Sequence, residues 1–314
     1  MIKLAPTLCG LGFAICVILW CAGFLGQWWL PLDIFSHFRW HIFLMAIVLC
    51  LAGLSGRGWI QIVVIGLFLI YTAFGLSPYL ARALTTQASG SAETARGNIK
   101  LLSFNSWIQN QNLAAIEAML RKADADVVLM QEFFADKAPL LDRLRDLYPH
   151  QALCRDTYGC SQVTLSRYPI ASHETIVLEP ELPVLVVRFD ETWPGLEIAN
   201  IHTLRPPYMS RQLDQMKALA AFAARRKHPL IVAGDFNSTP YSLMFETFRE
   251  GSGLRPLQSW PTWPAEPIPL PQLSIDHFFV SDHLKTASAA TPLGPAGSDH
   301  LPIAVTLTLG TAGG

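Results

Sequence analysis

The chain has 314 residues, of which 51% are hydrophobic and 15% are charged, and its formal net charge is −1. Its mean hydropathy of +0.31 is too high for an average soluble protein and too low for a protein that lies entirely in a membrane. Residues 1–96 hold five Lys and Arg and two Asp and Glu, whereas residues 97–314 hold 18 and 22. The slightly acidic balance of this second part argues against strong nonspecific binding of nucleic acid, which usually requires a basic surface.

Residues 1–84 contain three apolar runs, which predict a membrane anchor of three transmembrane helices over residues 8–30, 38–54 and 59–80. The first run is long enough to cross a hydrocarbon layer of about 30 Å at about 1.5 Å per residue. A cleaved signal peptide is the alternative for this run, but the run is longer than a usual signal core and lacks a small-x-small cleavage site. We therefore expect an integral membrane protein that is in contact with the lipid bilayer.

The orientation of the anchor is not decided by charge, because each side of the membrane would carry two basic residues. The two cysteines of the polar part, Cys154 and Cys160, are close enough in sequence to form a disulfide bond. Such a bond would indicate an oxidising compartment, whereas two unpaired thiols in a loop fit the same spacing. We expect the polar part to lie outside the cytoplasm.

The region after the anchor begins with a small, polar linker over residues 85–98, and a folded domain is predicted over residues 99–310. Apolar runs, several of them alternating, predict strands over residues 99–105, 126–131, 161–166, 183–189, 196–202, 230–233, 275–281 and 302–309. Helices are predicted over residues 111–123, 137–147 and 210–226, and a shorter helix with Thr239 as its N-cap follows. A long proline-rich loop over residues 255–272 is predicted to lie beside the functional site. Many strands with few helices indicate an α/β fold of four layers, in which two mixed sheets pack face to face between outer helices.

Polar residues occur at the ends of six predicted strands. They are Asn105, Glu132, His202, Asp235, Asn237, Asp276, Asp299 and His300. One such residue alone is usually a turn or cap residue, but six strand ends with this composition indicate a shared pocket. Carboxylate and amide oxygens suit Mg²⁺ or Mn²⁺, and the sequence has no zinc-ligand spacing, phosphate-binding glycine loop or serine nucleophile motif. The composition of the pocket favours metal-assisted hydrolysis of a phosphate ester.

The segments "SFN", "QE", "NIHT", "GDFNSTP", "SIDHFFVS" and "SDHLPI", in this order, resemble the endonuclease/exonuclease/phosphatase superfamily, which has the deoxyribonuclease-I-like fold. The resemblance extends over about residues 98–309. It implies that Glu132 is the main ligand of a Mg²⁺ or Mn²⁺ ion, with Asn105 and Asp299 as further ligands or supports. The apolar leader is similar to that of membrane-anchored bacterial members, which implies the bacterial inner membrane.

The resemblance also implies roles for the remaining residues at the strand ends. His202 is expected to contact the scissile phosphate, and Asp235 to orient or activate the attacking water together with Asn237. Asp276 is expected to pair with His300, which would stabilise the phosphoryl oxygens. These roles complete the expected catalytic set.

Two further residues bear on the substrate, which the sequence leaves open among a lipid head group, a small molecule and a nucleic acid. Trp107 stands where some nuclease members have an acidic residue, which would leave the metal fewer ligands or give the pocket a more apolar wall. Arg205, close to His202, is a weaker candidate for binding a second phosphate of the substrate. No protein partner is indicated, and a catalytically silent scaffold that retains the fold is the alternative function.

Overall fold

The computed structural model describes residues 4–53, 66, 97–154, 159–258, 260–267 and 272–309. Two compact units make up the chain. One consists of Met1–Leu84 and Tyr241–Leu243, and the other of Thr85–Pro240 and Met244–Gly314. The predicted linker begins at residue 85, where the second unit also begins, and its residues 85–96 lie outside the described part of the chain.

The N-terminal unit begins with helix α1 (Leu4–Phe24), followed by the 3-10 turns Leu25–Gln27 and Leu30–Asp33 and the short helix α2 (Ile34–His37). Helix α3 (Arg39–Gly53) returns along α1. The two long helices pack through a small apolar cluster that contains Cys16, Trp20, Ile42 and Ala46. Their other faces carry exposed apolar side chains, among them Leu11, Ile18, Val48 and Leu51.

The prediction of three separate transmembrane helices is wrong for the described residues. One helix, Thr7–Gln27, is long and apolar enough to cross a membrane, and a signal sequence would have the same properties. Leu30–His37 and Arg39–Leu51 pass that test only as a pair, with a bend of 64° between them. The 15 residues of α3 extend only about 22 Å, which is short of a bilayer core. The predicted run 59–80 lies outside the described residues except for residue 66.

The second unit contains two six-stranded mixed sheets. The first has the order β11-β12-β1-β2-β4-β3, with β1 Asn98–Asn105, β2 Val127–Gln131, β3 His150–Leu153, β4 Val163–Ser166, β11 Leu284–Pro292 and β12 Ile303–Leu309. The second has the order β5-β6-β7-β8-β10-β9, with β5 Ser172–Leu178, β6 Leu182–Phe189, β7 Leu196–His202, β8 Leu230–Asp235, β9 Arg255–Pro256 and β10 Asp276–Val280. The pairs β1–β2 and β7–β8 are parallel, and the other pairs are antiparallel.

The two sheets pack face to face around a core of alternate aliphatic side chains, including Ile99, Leu129, Ile198 and Ile231. Polar contacts of Asn200 cross this core: its Oδ1 accepts from Gln131 Nε2 at 2.8 Å, and its Nδ2 donates to the carbonyls of Met130 and Val163 at 3.1 and 3.0 Å. The predicted architecture of two packed mixed sheets with helices is therefore confirmed. The strands β3, β5, β9 and β11 were not predicted.

Helices cover the outer faces of both sheets. Helices α4 (Leu113–Ala123) and α5 (Pro139–Arg143) lie on the first sheet through an apolar cluster. Helix α7 (Leu243–Ser252) lies on the second sheet, where its phenylalanines contact Phe236 and Phe279, and α6 (Met209–Ala224) precedes β8.

Two predicted helix boundaries are wrong. The helix expected over residues 137–147 is divided into the 3-10 turn Ala135–Lys137 and the short α5, because Pro139 has no N–H to continue the earlier turn. The helix expected to begin at Pro240, with Thr239 as its N-cap, begins at Leu243 instead, because Pro240 and Tyr241 form a turn before it.

Candidate active site

The candidate site lies where the central strands of both sheets end. The register pairs Asn105 with Gln131 in the first sheet and His202 with Asp235 in the second. Since β10 runs antiparallel to β8 with Asp276 opposite Asp235, its first residue lies at this same edge. Parallel strands that end together therefore carry most of the predicted residues to one place.

Glu132 and Asn105 form one side of the site. Asn105 Nδ2 donates to Glu132 Oε1 at 3.2 Å and to Asp235 Oδ2 at 2.9 Å, which joins the ends of the two sheets. The other oxygen of Glu132, Oε2, accepts from the N–H of Ile108 at 2.6 Å. The nitrogen of the Asn105 amide faces these carboxylates, while its Oδ1 accepts from the N–H of Trp107 at 3.0 Å. The role of Asn105 as an oxygen ligand stays a prediction.

Asp276, His300 and Asp235 form the opposite, buried side of the site. His300 Nδ1 lies 2.9 Å from Asp276 Oδ2, and His300 Nε2 lies 3.7 Å from Asp235 Oδ2. Burial lowers the pKa of His300, but the charges of Asp276 and Asp235 outweigh this effect and raise the pKa to about 10. Burial also raises the pKa of Asp235, against the opposing influence of His300. A charged imidazole is thus held between two carboxylates.

His202 and Asn237 complete the mouth of the site. His202 Nε2 lies 3.8 Å from Glu132 Oε1 and 3.6 Å from Asp235 Oδ2, and its side chain is partly exposed. Asn237 Nδ2 donates to the carbonyl of Thr203 at 3.0 Å and approaches Asp235 Oδ2 at 3.3 Å. Its backbone N–H donates to Asp235 Oδ1 at 2.8 Å, so one asparagine contacts both oxygens of this carboxylate.

The backbone at the site is conformationally unusual. Trp107, Glu132 and Asn237 have φ angles of 58°, 52° and 47°, in the left-handed region that side chains other than glycine seldom adopt. Gly234, just before Asp235, has a φ of 145°, and a Cβ there would lie 2.0 Å from the carbonyl oxygen of Ile201. Such conformations are costly and persist where surrounding contacts enforce them, commonly at functional sites.

Glu132 and Asp299 have the chemistry of a site for a hard divalent cation. Asp299 Oδ2 accepts from the indole N–H of Trp263 at 3.1 Å, whereas its Oδ1 is buried without a hydrogen-bond partner. Burial raises the pKa of Asp299, and the charge of Glu132 acts in the same direction. Two carboxylates that repel each other, one of them with an unsatisfied buried oxygen, fit Mg²⁺ or Mn²⁺.

A second group of possible ligands consists of Asp235, Asp276 and His300, whose donor atoms lie within 4.8 Å of one another. We interpret this group as an imidazole oriented by carboxylates, because His300 Nδ1 lies at hydrogen-bond distance from Asp276 Oδ2, at 2.9 Å, while its Nε2 faces Asp235 Oδ2 at 3.7 Å.

Three residues that sequence reasoning missed also hold the site. The Thr262 hydroxyl donates to Asp276 Oδ2 at 2.5 Å, and the neighbouring Trp263 holds Asp299. Ser298 donates to the carbonyl of Asn105 at 2.7 Å. Ser298 directly precedes Asp299 in the segment "SDHLPI", so this segment could have identified it as a site residue. Thr262 and Trp263 belong to the proline-rich loop, whose sequence gives no residue-level signal.

Arg205 lies in an exposed turn after His202, and its backbone carbonyl accepts from the N–H of Tyr208. None of the contacts among the described residues joins its guanidinium to the pocket. Its proposed phosphate contact stays a prediction.

Residues 102–300 match the model of the endonuclease/exonuclease/phosphatase family. Among solved structures, an endonuclease/exonuclease/phosphatase from Beutenbergia cavernae is 22% identical, with a TM-score of 0.55 over 69% of this chain and 73% of that one. Sphingomyelinase C from Streptomyces griseocarneus is 17% identical, with a TM-score of 0.54 over 67% and 99%. The beta toxin from Staphylococcus aureus, solved as a double mutant with bound magnesium ions, is 15% identical, with a TM-score of 0.54 over 66% and 99%. At these identities the likeness shows the fold, and no curated protein matches the chain.

Proposed function

The chain belongs to the endonuclease/exonuclease/phosphatase family, and on that premise we propose that it is a divalent-metal-dependent phosphoesterase attached to a membrane. The observation that carries the proposal is the buried Asp276–His300 pair, whose imidazole faces Asp235 opposite the carboxylate of Glu132. This arrangement brings a fixed positive charge, a candidate base and an anionic group suited to a cation to one edge of the two sheets.

The proposed mechanism assigns a task to each side chain. Asp235, whose pKa is raised by burial, accepts a proton from the attacking water, and Asn237 and Asn105 fix the orientation of its carboxylate. His300, held by Asp276, donates from Nε2 to a phosphoryl oxygen as negative charge develops there. His202, at the open side of the pocket, makes a second contact to the phosphate.

Glu132 and Asp299 would hold the divalent cation, which when bound neutralises charge on the phosphate and polarises its oxygens. The support for this assignment is the unsatisfied Oδ1 of Asp299 and its raised pKa beside Glu132. Mg²⁺ and Mn²⁺ both fit oxygen donors of this kind.

Attachment to the bacterial inner membrane is supported by α1, in which only 17% of the apolar window is buried. A core helix of a soluble protein would be mostly covered, whereas Leu11 and Ile18 are exposed. We place the catalytic domain outside the cytoplasm. The disulfide bond between Cys154 and Cys160 supports this location, because such bonds persist in oxidising compartments.

A phosphoester with an apolar group, such as a lipid, is the favoured substrate class. Ile108 and Phe134, on the two loops beside Glu132, are 52% and 39% exposed, and Trp107 lies next to Ile108. Exposed apolar side chains at a pocket rim suit the hydrocarbon part of a substrate. The acidic balance of residues 97–314 disfavours long nucleic acid, and a silent scaffold has no need of the complete set of polar contacts.

The test uses the purified full chain in detergent micelles. Hydrolysis of bis-p-nitrophenyl phosphate, plasmid DNA and phospholipid vesicles is measured with Mg²⁺, with Mn²⁺ and with a chelator. We expect metal-dependent turnover that His300→Ala abolishes and His283→Ala, a change at an exposed histidine, leaves intact. Absence of metal-dependent turnover on all three substrates would favour the scaffold.

A further inference from the structure

Lys137 has a fully buried side chain beside the candidate active site, five residues after Glu132. Its Nζ donates to the carbonyl of Ile108 at 3.4 Å and pairs with Asp136 Oδ2 at 3.3 Å. An ammonium loses its hydration on burial and is tolerated only when its partners compensate. A methionine would fill a similar space without this cost, so the charge itself requires an explanation.

The backbone of Ile108 connects this ammonium to Glu132. The carbonyl of Ile108 accepts from Lys137, and its N–H donates to Glu132 Oε2 at 2.6 Å. The N–H of Lys137 in turn donates to the carbonyl of Phe134 at 3.0 Å. Lys137 therefore ties together the two loops that flank the carboxylate.

The Trp107–Ile108 turn, whose Ile108 carbonyl accepts from Lys137, has a strained backbone. Trp107 adopts a φ of 58°, which is costly for a bulky residue, while its N–H supports Asn105 Oδ1. The Trp107–Ile108 turn thus presents two consecutive N–H groups, one to Asn105 and one to Glu132. A strained turn that holds two site residues needs a contact that keeps it in place, and the Lys137 ammonium provides one.

We propose that Lys137 is a positioning residue that fixes the Ile108 N–H against Glu132 Oε2. Because Oε2 is held in this way, Oε1 is the oxygen of Glu132 that lies towards His202, at 3.8 Å. Lys137 therefore controls how the Glu132 carboxylate is presented to a divalent cation. This inference rests on the proposed function in one respect, namely that Glu132 binds the cation.

The test measures cation binding directly, without substrate. The full chain in detergent micelles is titrated with Mn²⁺, and free Mn²⁺ is followed by its paramagnetic resonance signal. Lys137→Met keeps the length and apolar packing but removes the donor. We expect it to weaken Mn²⁺ binding by up to about tenfold, the lower end of what loss of a direct outer partner costs, because Lys137 acts on Glu132 through the Ile108 backbone. The thermal midpoint should not fall, since replacing a buried charge by an apolar side chain is often neutral or stabilising.

Two further variants make the result specific. Lys137→Arg keeps a charged donor and should lose less affinity than Lys137→Met. Lys122→Met, an equivalent change at an exposed lysine of α4, should bind Mn²⁺ as the wild type does. If Lys137→Met does not fold, Lys137→Gln replaces it, because the shorter side chain does not reach Ile108 and should weaken binding similarly.

Wild-type Mn²⁺ affinity in a folded Lys137→Met or Lys137→Gln variant would overturn the inference, and so would an absence of Mn²⁺ binding by the wild type. A wild type that binds Mn²⁺ but hydrolyses no phosphoester would refute the proposed function alone. In that case the affinities of the Lys137 variants would still decide the positioning role.

Discussion

The Asp276→Asn substitution tests the central electrostatic claim, that a carboxylate keeps His300 charged. The change preserves size and leaves an oxygen that can accept from His300 Nδ1, so it removes the negative charge while retaining the contact at 2.9 Å. The pKa of His300, about 10 in the wild type, results from nearby carboxylates outweighing burial. Without the charge of Asp276, the lowering effect of burial on the pKa of His300 is less opposed, so that pKa must fall.

An opposite charge at hydrogen-bond distance shifts a pKa by about 1–3 units, which is about 1.4–4 kcal/mol of preference for the imidazolium form. The pKa of His300 in Asp276→Asn should therefore lie at about 7–9. The imidazolium exists below this pKa and is lost as pH rises through it. With a pKa of about 8, about 10% of His300 would remain charged at pH 9, against about 90% in the wild type.

Two measurements check this prediction. The kcat/KM for bis-p-nitrophenyl phosphate should stay level from pH 6 to 9 in the wild type and fall over the alkaline half of that range in Asp276→Asn. Imidazole nitrogen shifts, followed by NMR without metal, should give the same pKa for His300. Asp282→Asn, a change at an exposed aspartate that also precedes a histidine, should leave the wild-type profile unchanged. A level profile for Asp276→Asn would refute the reasoning.

Three other predictions follow from the geometry. Glu132→Gln should weaken Mn²⁺ binding by at least about tenfold in a titration, since loss of a ligand costs no less than loss of its outer partner; unchanged affinity would remove Glu132 from the metal site. Gly234→Ala should lower the free energy of unfolding in urea by at least about 3 kcal/mol, because its Cβ would lie 2.0 Å from a carbonyl oxygen of β7. Gly294→Ala, at a glycine with open space around the added Cβ, should cost far less. Cys154 and Cys160 should react with a membrane-impermeant maleimide on intact cells only after reduction, and labelling before reduction would contradict the disulfide.

The meeting of the polar strand ends could be predicted from sequence because it follows from strand direction. Asn105 and Glu132 end two strands that are parallel neighbours, and His202 and Asp235 end two more. Buried parallel strands have nearly continuous apolar sequences, so the residue at which each one ends is easy to read. The position of a polar residue along the chain was then enough to predict its neighbours.

Edge strands and loops could not be predicted in the same way. β5 is largely exposed, and β3 has one fully buried residue in the polar sequence HQAL, so neither shows the alternation that identifies a half-buried strand. Thr262 reaches Asp276 from a loop without periodicity, and the buried position of Lys137 depends on packing that no local pattern encodes. Contacts made by loops depend on the whole fold, whereas strand ends depend mainly on their own segments.

The bend in the N-terminal unit shows a related limit of hydropathy. The first apolar run was predicted to continue to residue 30, but α1 ends at Phe24 and two 3-10 turns follow. Pro31 lies in the second turn, where its fixed φ and missing N–H interrupt a regular helix. Average hydropathy measures how apolar a segment is and carries no information about such breaks.

Backbone strain connects the motifs to the chemistry proposed for them. In "GDFN", Gly234 allows the chain to pass against β7, and Asn237 then turns back in the left-handed region so that both its N–H and its side chain contact Asp235. Glu132 adopts a similar conformation one residue after β2, which takes its backbone out of the sheet at the strand end. Each conformation is unfavourable by itself and is maintained by hydrogen bonds to the neighbouring strand end. The side chains are therefore held in place before any ligand arrives, as electrostatic stabilisation of a transition state requires.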